Sequence, residues 1–268
     1  MKVIIVSFEG NFSQAKKYIG SVLDQYKEER IIFVISAPEG DKQLLAAFYC
    51  PTEDLKEEYY SIEEKFHEHY VKIHDQFMVE KETKEIFFRL LKKYMDLIHN
   101  AIARIQHSGE RYGLVSFYLD LIHSTILHLY INEQHEEVSY YKGSKLLLVR
   151  GGYRHTQVKM KQTKILMQKV LFNPENRRII ITEGSTGLNE QGKIQTFRKQ
   201  GSDIVAAVIA LVHAKEKNPG LIKVLFPKTL ILSHDLVPVP SSTARRILDT
   251  AGILHISVPL ENILEKTE

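Results

Sequence analysis

The sequence predicts an α/β fold with a mainly parallel central sheet and a helical insertion, and three observations carry that expectation. Residues 1–40 read as strand, amphipathic helix, strand. From Thr52 to about Ile131 the chain is almost free of Gly and Pro and dense in Glu, Lys, Leu, Ile and Tyr, which suits several helices with no strand between them. From Leu146 onward strand and helix signals alternate again. Strands separated by helical crossovers form parallel sheets. The expectation is therefore one domain over 1–268, with 52–131 as a helical lobe within it.

The first strand is Met1-Lys2-Val3-Ile4-Ile5-Val6, a β-branched run. Ala15, Tyr18, Ile19, Val22, Leu23 and Tyr26 then repeat at helical spacing, with Asn11 or Ser13 available as a cap. The run Ile31 to Ile35 is the second strand and ends in the turn residues Ser36-Ala37-Pro38-Glu39-Gly40. Further strands are expected at 146–149 and 178–182, with a helix from about Thr156 to Val170 between them. Gly184, Gly187, Asn189 and Gly192 among short apolar pieces suggest a β-hairpin running into a loop. Ser202-Asp203 opens an apolar, buried helix through Val212, followed by a strand at 221–226, a helix at 241–250, a strand at 253–258 and a final helix. Parallel sheets place ligands beyond the carboxyl ends of their strands, so the loops after Val6 and Ile35 are the first candidates for a site.

Composition excludes more than it names. Hydrophobic residues at 44% and charged residues at 26% are those of an ordinary globular protein. A net charge of +3, from 36 basic and 33 acidic residues, is too small a bias to recruit nucleic acid or an anionic membrane surface. Cys50 is the only cysteine, which rules out an internal disulfide or a thiolate metal site. The N-terminus reads as a buried strand rather than a signal peptide. The longest apolar stretch, Ile204 to Val212, falls far short of the roughly 20 residues that span a bilayer. A cytoplasmic protein with no membrane or nucleic-acid partner is expected.

The most informative stretch runs from Thr182-Glu183-Gly184-Ser185-Thr186-Gly187 through Lys193 and Thr196 to Lys199-Gln200-Gly201-Ser202-Asp203. It resembles, in order and spacing, the aspartokinase segment that passes from a threonine-x-glycine turn through a hairpin to a glycine-serine-aspartate. Met1 to Val6, Val34-Ile35-Ser36-Ala37 and the segment Ser241 to His255 match other parts of the same pattern. The resemblance covers most of the chain and is to the catalytic domain of aspartokinases, within the amino-acid kinase (carbamate kinase-like) superfamily. No regulatory ACT-type segment is expected to follow.

The resemblance implies a three-layer αβα fold, an amino-acid substrate such as aspartate, ATP with Mg2+ as phosphoryl donor, and a homodimer. Carried over position by position, it puts Ser36, Gly184, Thr196, Gly201, Ser202 and Asp203 in the substrate site, Ser7, Gly10 and Lys199 in the catalytic positions, and Pro227 and Lys228 at the nucleotide. Residue chemistry supports the glycine-serine-aspartate independently. A close-approach glycine, a hydroxyl and a carboxylate at a helix N-terminus suit a zwitterion, with Asp203 facing the ammonium group. Ser202 and Asp203 also read as a plain helix cap.

Several positions depart from the pattern. Ser7-Phe8-Glu9-Gly10-Asn11 stands where aspartokinases carry lysine-phenylalanine-glycine-glycine, so the catalytic lysine is replaced by Ser7. Phosphoryl transfer relies on positive charge beside the transferring group; serine has none, and Glu9 repels phosphate. Lys199 replaces an arginine, keeping the charge and losing the bidentate fork. Arg198 and Gln200 replace glycines. Near Ser116-Phe117-Tyr118-Leu119-Asp120 the pattern expects serine-x-glycine-glutamate, and Leu119 takes the glutamate's place, with Asp120 one position on and about 100° away around a helix. The nucleotide turn lacks its aspartate around Lys223 to Lys228.

No metal site is read from the histidines. His67 and His69 point to different helix faces and His74 lies more than a turn further on. His123, His128 and His135 read as core or interface residues. Three functions follow: an aspartokinase-like enzyme phosphorylating the carboxylate of aspartate or a related amino acid, in which Lys2, Lys42 or Lys228 replaces the lysine; an inactive homologue that binds an amino acid or a partner protein; and a kinase for a different acidic substrate.

Overall fold

The computed structural model describes residues 2–9, 12–38, 67–73, 75–77, 80–105, 108–134, 137–152, 156–197, 201–214, 221–228, 242–250 and 254–259. Strand β1 (Val3–Glu9), helix α1 (Phe12–Gln25) and strand β2 (Arg30–Ser36) make the opening βαβ unit. Two long helices follow, α2 (Lys81–Arg104) and α3 (Ser108–Glu133), then β3 (Val138–Tyr141). The short strands β4 (Val149–Arg150) and β5 (Gln157–Val158) precede α4 (Met160–Val170) and β6 (Ile179–Glu183). A hairpin of β7 (Thr186–Leu188) and β8 (Ile194–Thr196) leads to α5 (Gly201–Ala214). Strand β9 (Ile222–Lys228), helix α6 (Ser242–Thr250) and strand β10 (Leu254–Pro259) complete the described elements.

Six strands form one sheet in the order β10-β9-β1-β2-β6-β3, and every pair in it is parallel. Period-2 alternation divides the inner strands between two apolar layers. Ile4, Val6, Phe8, Ile31, Phe33 and Ile35 pack on one face with α1, α2 and α3. Val3, Ile5, Ile32 and Val34 pack on the other with α4, α5 and α6. The result is a three-layer αβα architecture.

Each helix buries the stripe its sequence supplies. In α2, Phe87, Leu91, Met95 and Ile98 are buried at steps of three and four residues. Helix α3 is apolar nearly all round because it meets α2, the sheet and the β7–β8 hairpin. It has the length and apolarity of a membrane span, and 78% of that span is buried inside the protein, as a core helix requires. Helix α5 is also buried on most sides, between the sheet and α6.

Three elements differ from the sequence expectation, one of them β5, which occupies the start of the helix expected from about Thr156, so that α4 begins only at Met160. Val138–Tyr141 is an edge strand the sequence does not announce, because four half-buried residues next to a charged run carry no clear period. The expected strand at 146–149 is a turn leading to the two-residue β4, with Leu148 bridging to Leu188 of the hairpin. The helix expected to follow 258 lies outside the described residues, as does 52–66 of the expected lobe and Cys50.

The strand order reverses beside β1, whose neighbours are β2 and β9. Ligands in open parallel sheets sit at such a reversal, beyond the carboxyl ends of the strands. Pairing of β1 with β9 lapses after Val6–Leu225 and resumes at Glu9–Lys228. Pro227 lies in the gap, where its missing N–H cannot contribute to the ladder.

Candidate functional site

Ser7 follows Val3 and Ile5 on the face of the sheet that α5 covers, and its side chain is buried. Its hydroxyl donates to Asp203 Oδ1 at 2.7 Å. Asp203 lies in the first turn of α5, where a carboxylate is favoured by the helix dipole. The position that carries lysine in the aspartokinase pattern is therefore coupled directly to the helix that carries the glycine-serine-aspartate.

Two glycines set how closely that helix approaches the sheet. A Cβ placed on Gly184 would lie 2.8 Å from both Cα and Cβ of Ser202, and one placed on Gly201 would lie 2.7 Å from Ser185 Cα. Main-chain bonds fix the crossing further: Gly184 N donates to Ile35 O at 2.8 Å, and Phe197 N to Ser185 O at 2.8 Å. The ends of β2, β6 and β8 thus meet the start of α5 at one place.

That place is lined with buried hydroxyls. Ser36, Ser202, Thr186 and Thr196 are essentially inaccessible, and their hydroxyl oxygens find no hydrogen-bond partner among the described residues. Thr186 and Thr196 are paired across the hairpin. Ser116 of α3 is in the same condition. Buried hydroxyls are nearly always satisfied, so a set of them at the carboxyl ends of a sheet marks a place for water or a polar ligand.

Two buried carboxylates join it that the sequence reading did not assign. Asp120 of α3 accepts from Ala37 N at 2.8 Å through Oδ1 and from the Ser185 hydroxyl through Oδ2. It ties the end of β2 to the turn after β6. Glu183, the last residue of β6, is fully buried and accepts from the Tyr140 hydroxyl and from Gly143 N. Burial raises its carboxyl from an ordinary 4.5 to about 7, and the Asp120 charge adds to the rise, while the bonds from Tyr140 and Gly143 oppose it.

Leu119 is fully buried in the apolar layer. A glycine-glutamate pair, Gly109-Glu110, does stand in the first turn of α3. Glu110 faces Lys193 of the hairpin, with Lys193 Nζ 3.5 Å from Oε1. The two line a pocket of about 280 Å³ with Gly113, Asn189, Gln191 and Thr196. Asn189 shapes the hairpin tip: its side chain accepts from Gln191 N at 3.0 Å and Lys193 N at 2.9 Å, while Gly192 takes a φ of 74°, a left-handed conformation that favours glycine. The adjacent letters Gly109-Glu110 were the available signal.

Of the residues expected from sequence, Ser7, Ser36, Gly184, Thr196, Gly201, Ser202 and Asp203 come together at the ends of the strands. Gly10, Lys199, Arg198 and Gln200 lie outside the described residues. Pro227 and Lys228 end β9 beside β1, where Lys228 is the register partner of Glu9. Among the described residues no group of three or more His, Cys, Asp or Glu side chains is arranged to hold a metal ion.

The parallel sheet with helices on both faces is the α/β fold of the amino-acid kinases. The solved structures the chain resembles include aspartokinases. E. coli aspartokinase III, solved with aspartate and ADP, superimposes with a TM-score of 0.68 at 17% identity over 86% of this chain and 50% of its own. The form solved with lysine and aspartate gives 0.69 at 17% identity. Clostridium acetobutylicum aspartate kinase gives 0.60 at 15% identity, over 86% of this chain and 48% of its own. The chain thus spans about half the length of the aspartokinases it matches. No protein-family model and no curated protein matches the sequence.

Proposed function

We propose that this chain is an aspartokinase-like protein that binds an acidic amino acid at the start of α5 and has given up phosphoryl transfer as aspartokinases perform it. The observation that carries this reading is the buried hydrogen bond from Ser7 to Asp203. A γ-phosphate in transit gathers negative charge, and a cation at the end of β1 would offset it by several kcal/mol. A hydroxyl committed to a carboxylate supplies no such charge. The described residues at the end of β1 do not fit the γ-phosphate of MgATP.

Binding is supported by what surrounds that bond. The hydroxyls of Ser36 and Ser202, unpartnered among the described residues, can donate to a carboxylate, and the amide dipoles at the start of α5 favour an anion. Asp203 suits an ammonium group nearby. The aspartate and ADP of E. coli aspartokinase III occupy a protein of the same fold.

Calorimetric titration with aspartate and then with MgATP, followed by a hydroxamate assay for acyl phosphate, tests the reading. The expected result is saturable aspartate binding with no hydroxamate above background. Hydroxamate formed at an enzymatic rate would replace this reading with the kinase one, and no binding of aspartate or its close relatives would end it.

A further inference from the structure

Glu183 has an arrangement that a plain structural carboxylate does not need. Its Oε1 accepts from Tyr140 of β3, whose hydroxyl lies 3.2 Å from Ser124 Oγ, and Ser124 Oγ donates to Asp120 O at 2.7 Å. Gly143 N holds the other oxygen. Hydroxyls both donate and accept, so this chain can run in two directions. When Glu183 is ionised, Tyr140 donates to it. When a proton from solvent is added, the Glu183 O–H donates to the Tyr140 oxygen and Tyr140 turns its own proton to Ser124 Oγ. Ser124 still donates to Asp120 O, and Gly143 N still donates to Glu183. No buried group loses its partner in either state, so the usual cost of a half-satisfied buried network is avoided.

The groups facing this chain favour keeping the proton. Asp120, from α3, places a like charge near Glu183. Tyr94 from α2 and Tyr140 from β3 are held neutral by burial, and each lies within the field of Glu183. His128, from α3, stacks on the Tyr140 ring at 5.6 Å and is pushed towards its neutral form by burial.

We infer that Glu183 is a specificity-determining residue of the candidate site: by taking or releasing one proton, with the Tyr140 hydroxyl re-aimed between Glu183 and Ser124, it sets the site's negative charge and favours an acidic amino acid on the acid side of neutrality. The ligand preference rests on the reading of the site as one for an acidic amino acid; the two-way hydrogen-bond chain does not.

Two measurements test it. Carbon-detected NMR of protein labelled at the glutamate carboxyls, with Glu183→Gln to assign the resonance, should find Glu183 titrating between roughly pH 6 and 8. Tyr140→Phe keeps the ring, removes one donor to the carboxylate and should move that midpoint upward. A midpoint below about 5, or one that Tyr140→Phe leaves unmoved or lowers, overturns the chain. Aspartate affinity measured by calorimetry should fall roughly tenfold from about pH 6 to about pH 8, as one linked proton requires, and should be level in Glu183→Gln. Equal weakening in both proteins overturns the specificity role alone. No aspartate binding at either pH overturns that role together with the reading beneath it, and the NMR midpoint then still decides the chain. If Glu183→Gln fails to fold, Tyr140→Phe supplies both comparisons.

Discussion

Where the turn after β6 crosses the start of α5, glycine is required twice by contacts under 3 Å, and Asp120 clamps that turn to the end of β2. At the end of β1, one hydrogen bond away from the same helix, a single serine stands where the aspartokinase pattern has lysine. The first region is constrained by backbone proximity, so its residues are fixed by the fold whether or not the protein turns over substrate. The second is constrained only by chemistry. On the proposed reading, the fold keeps its binding shell while the group that moves phosphate is lost.

The crossing should be the more fragile region. Asp120→Ala strands a buried amide at Ala37 and a buried hydroxyl at Ser185, each costing about 1 to 3 kcal/mol. The sum, roughly 4 kcal/mol, should lower the melting temperature by on the order of 10 °C. Differential scanning calorimetry checks this, and a shift within a degree or two would show that the clamp is not structural. Gly201→Ala forces a methyl to within contact of Ser185 Cα, and overpacking of that kind costs about 3 kcal/mol. It should also abolish aspartate binding, because α5 can only relieve the clash by backing away from the sheet.

The sequence revealed the crossing more readily than the carboxylates around it. The βαβ opening, the hairpin and α5 were legible because β-branched runs, a turn from Asn189 to Gly192 and an unbroken apolar helix each leave a local signal. Ser7, Ser36, Gly184 and Asp203 were legible through the order of a motif. Asp120 was not, because a polar residue in an all-round apolar helix has no periodic signature and its partners lie 83 and 65 residues away in the chain. Glu183 was read only as part of the motif's turn, since the edge strand that brings Tyr140 to it was itself not legible. Leu119 was read as a replaced glutamate, whereas it is a core residue and Glu110, nine positions earlier, faces the pocket.

Glu183 lies between the two regions in expected effect. Its carboxyl is raised in the folded protein from an ordinary 4.5 to about 7. The folded state then binds the proton more tightly than the unfolded chain. The associated stability is fully present below about pH 4.5 and is lost as pH rises through about 7. The loss is on the order of 2 to 3 kcal/mol. Urea melts of the wild-type protein at several pH values between those limits should show it, and Glu183→Gln should flatten that part of the profile. A wild-type profile that rises across the window would reverse the sign and refute the assignment.

The end of β1 should respond least in stability and most in what it reveals. Ser7→Ala removes one buried hydrogen bond to a carboxylate, which costs about 1.5 to 3 kcal/mol, no more than either change at the crossing. Ser7→Lys asks the opposite question. An ammonium beside Asp203 would form a buried pair and restore positive charge where a γ-phosphate would need it. If the binding shell is intact and only the cation is missing, MgATP affinity should rise at least tenfold in this variant, by calorimetry, while Ser7→Ala leaves it unchanged. If Ser7→Lys folds and binds aspartate yet gains nothing for MgATP, the loss extends beyond β1 to the end of β9, where Lys228 stands beside Glu9 rather than in an aspartate-bearing turn. The two regions would then differ because the whole nucleotide half of the crevice was released from selection, and not because one side chain was exchanged.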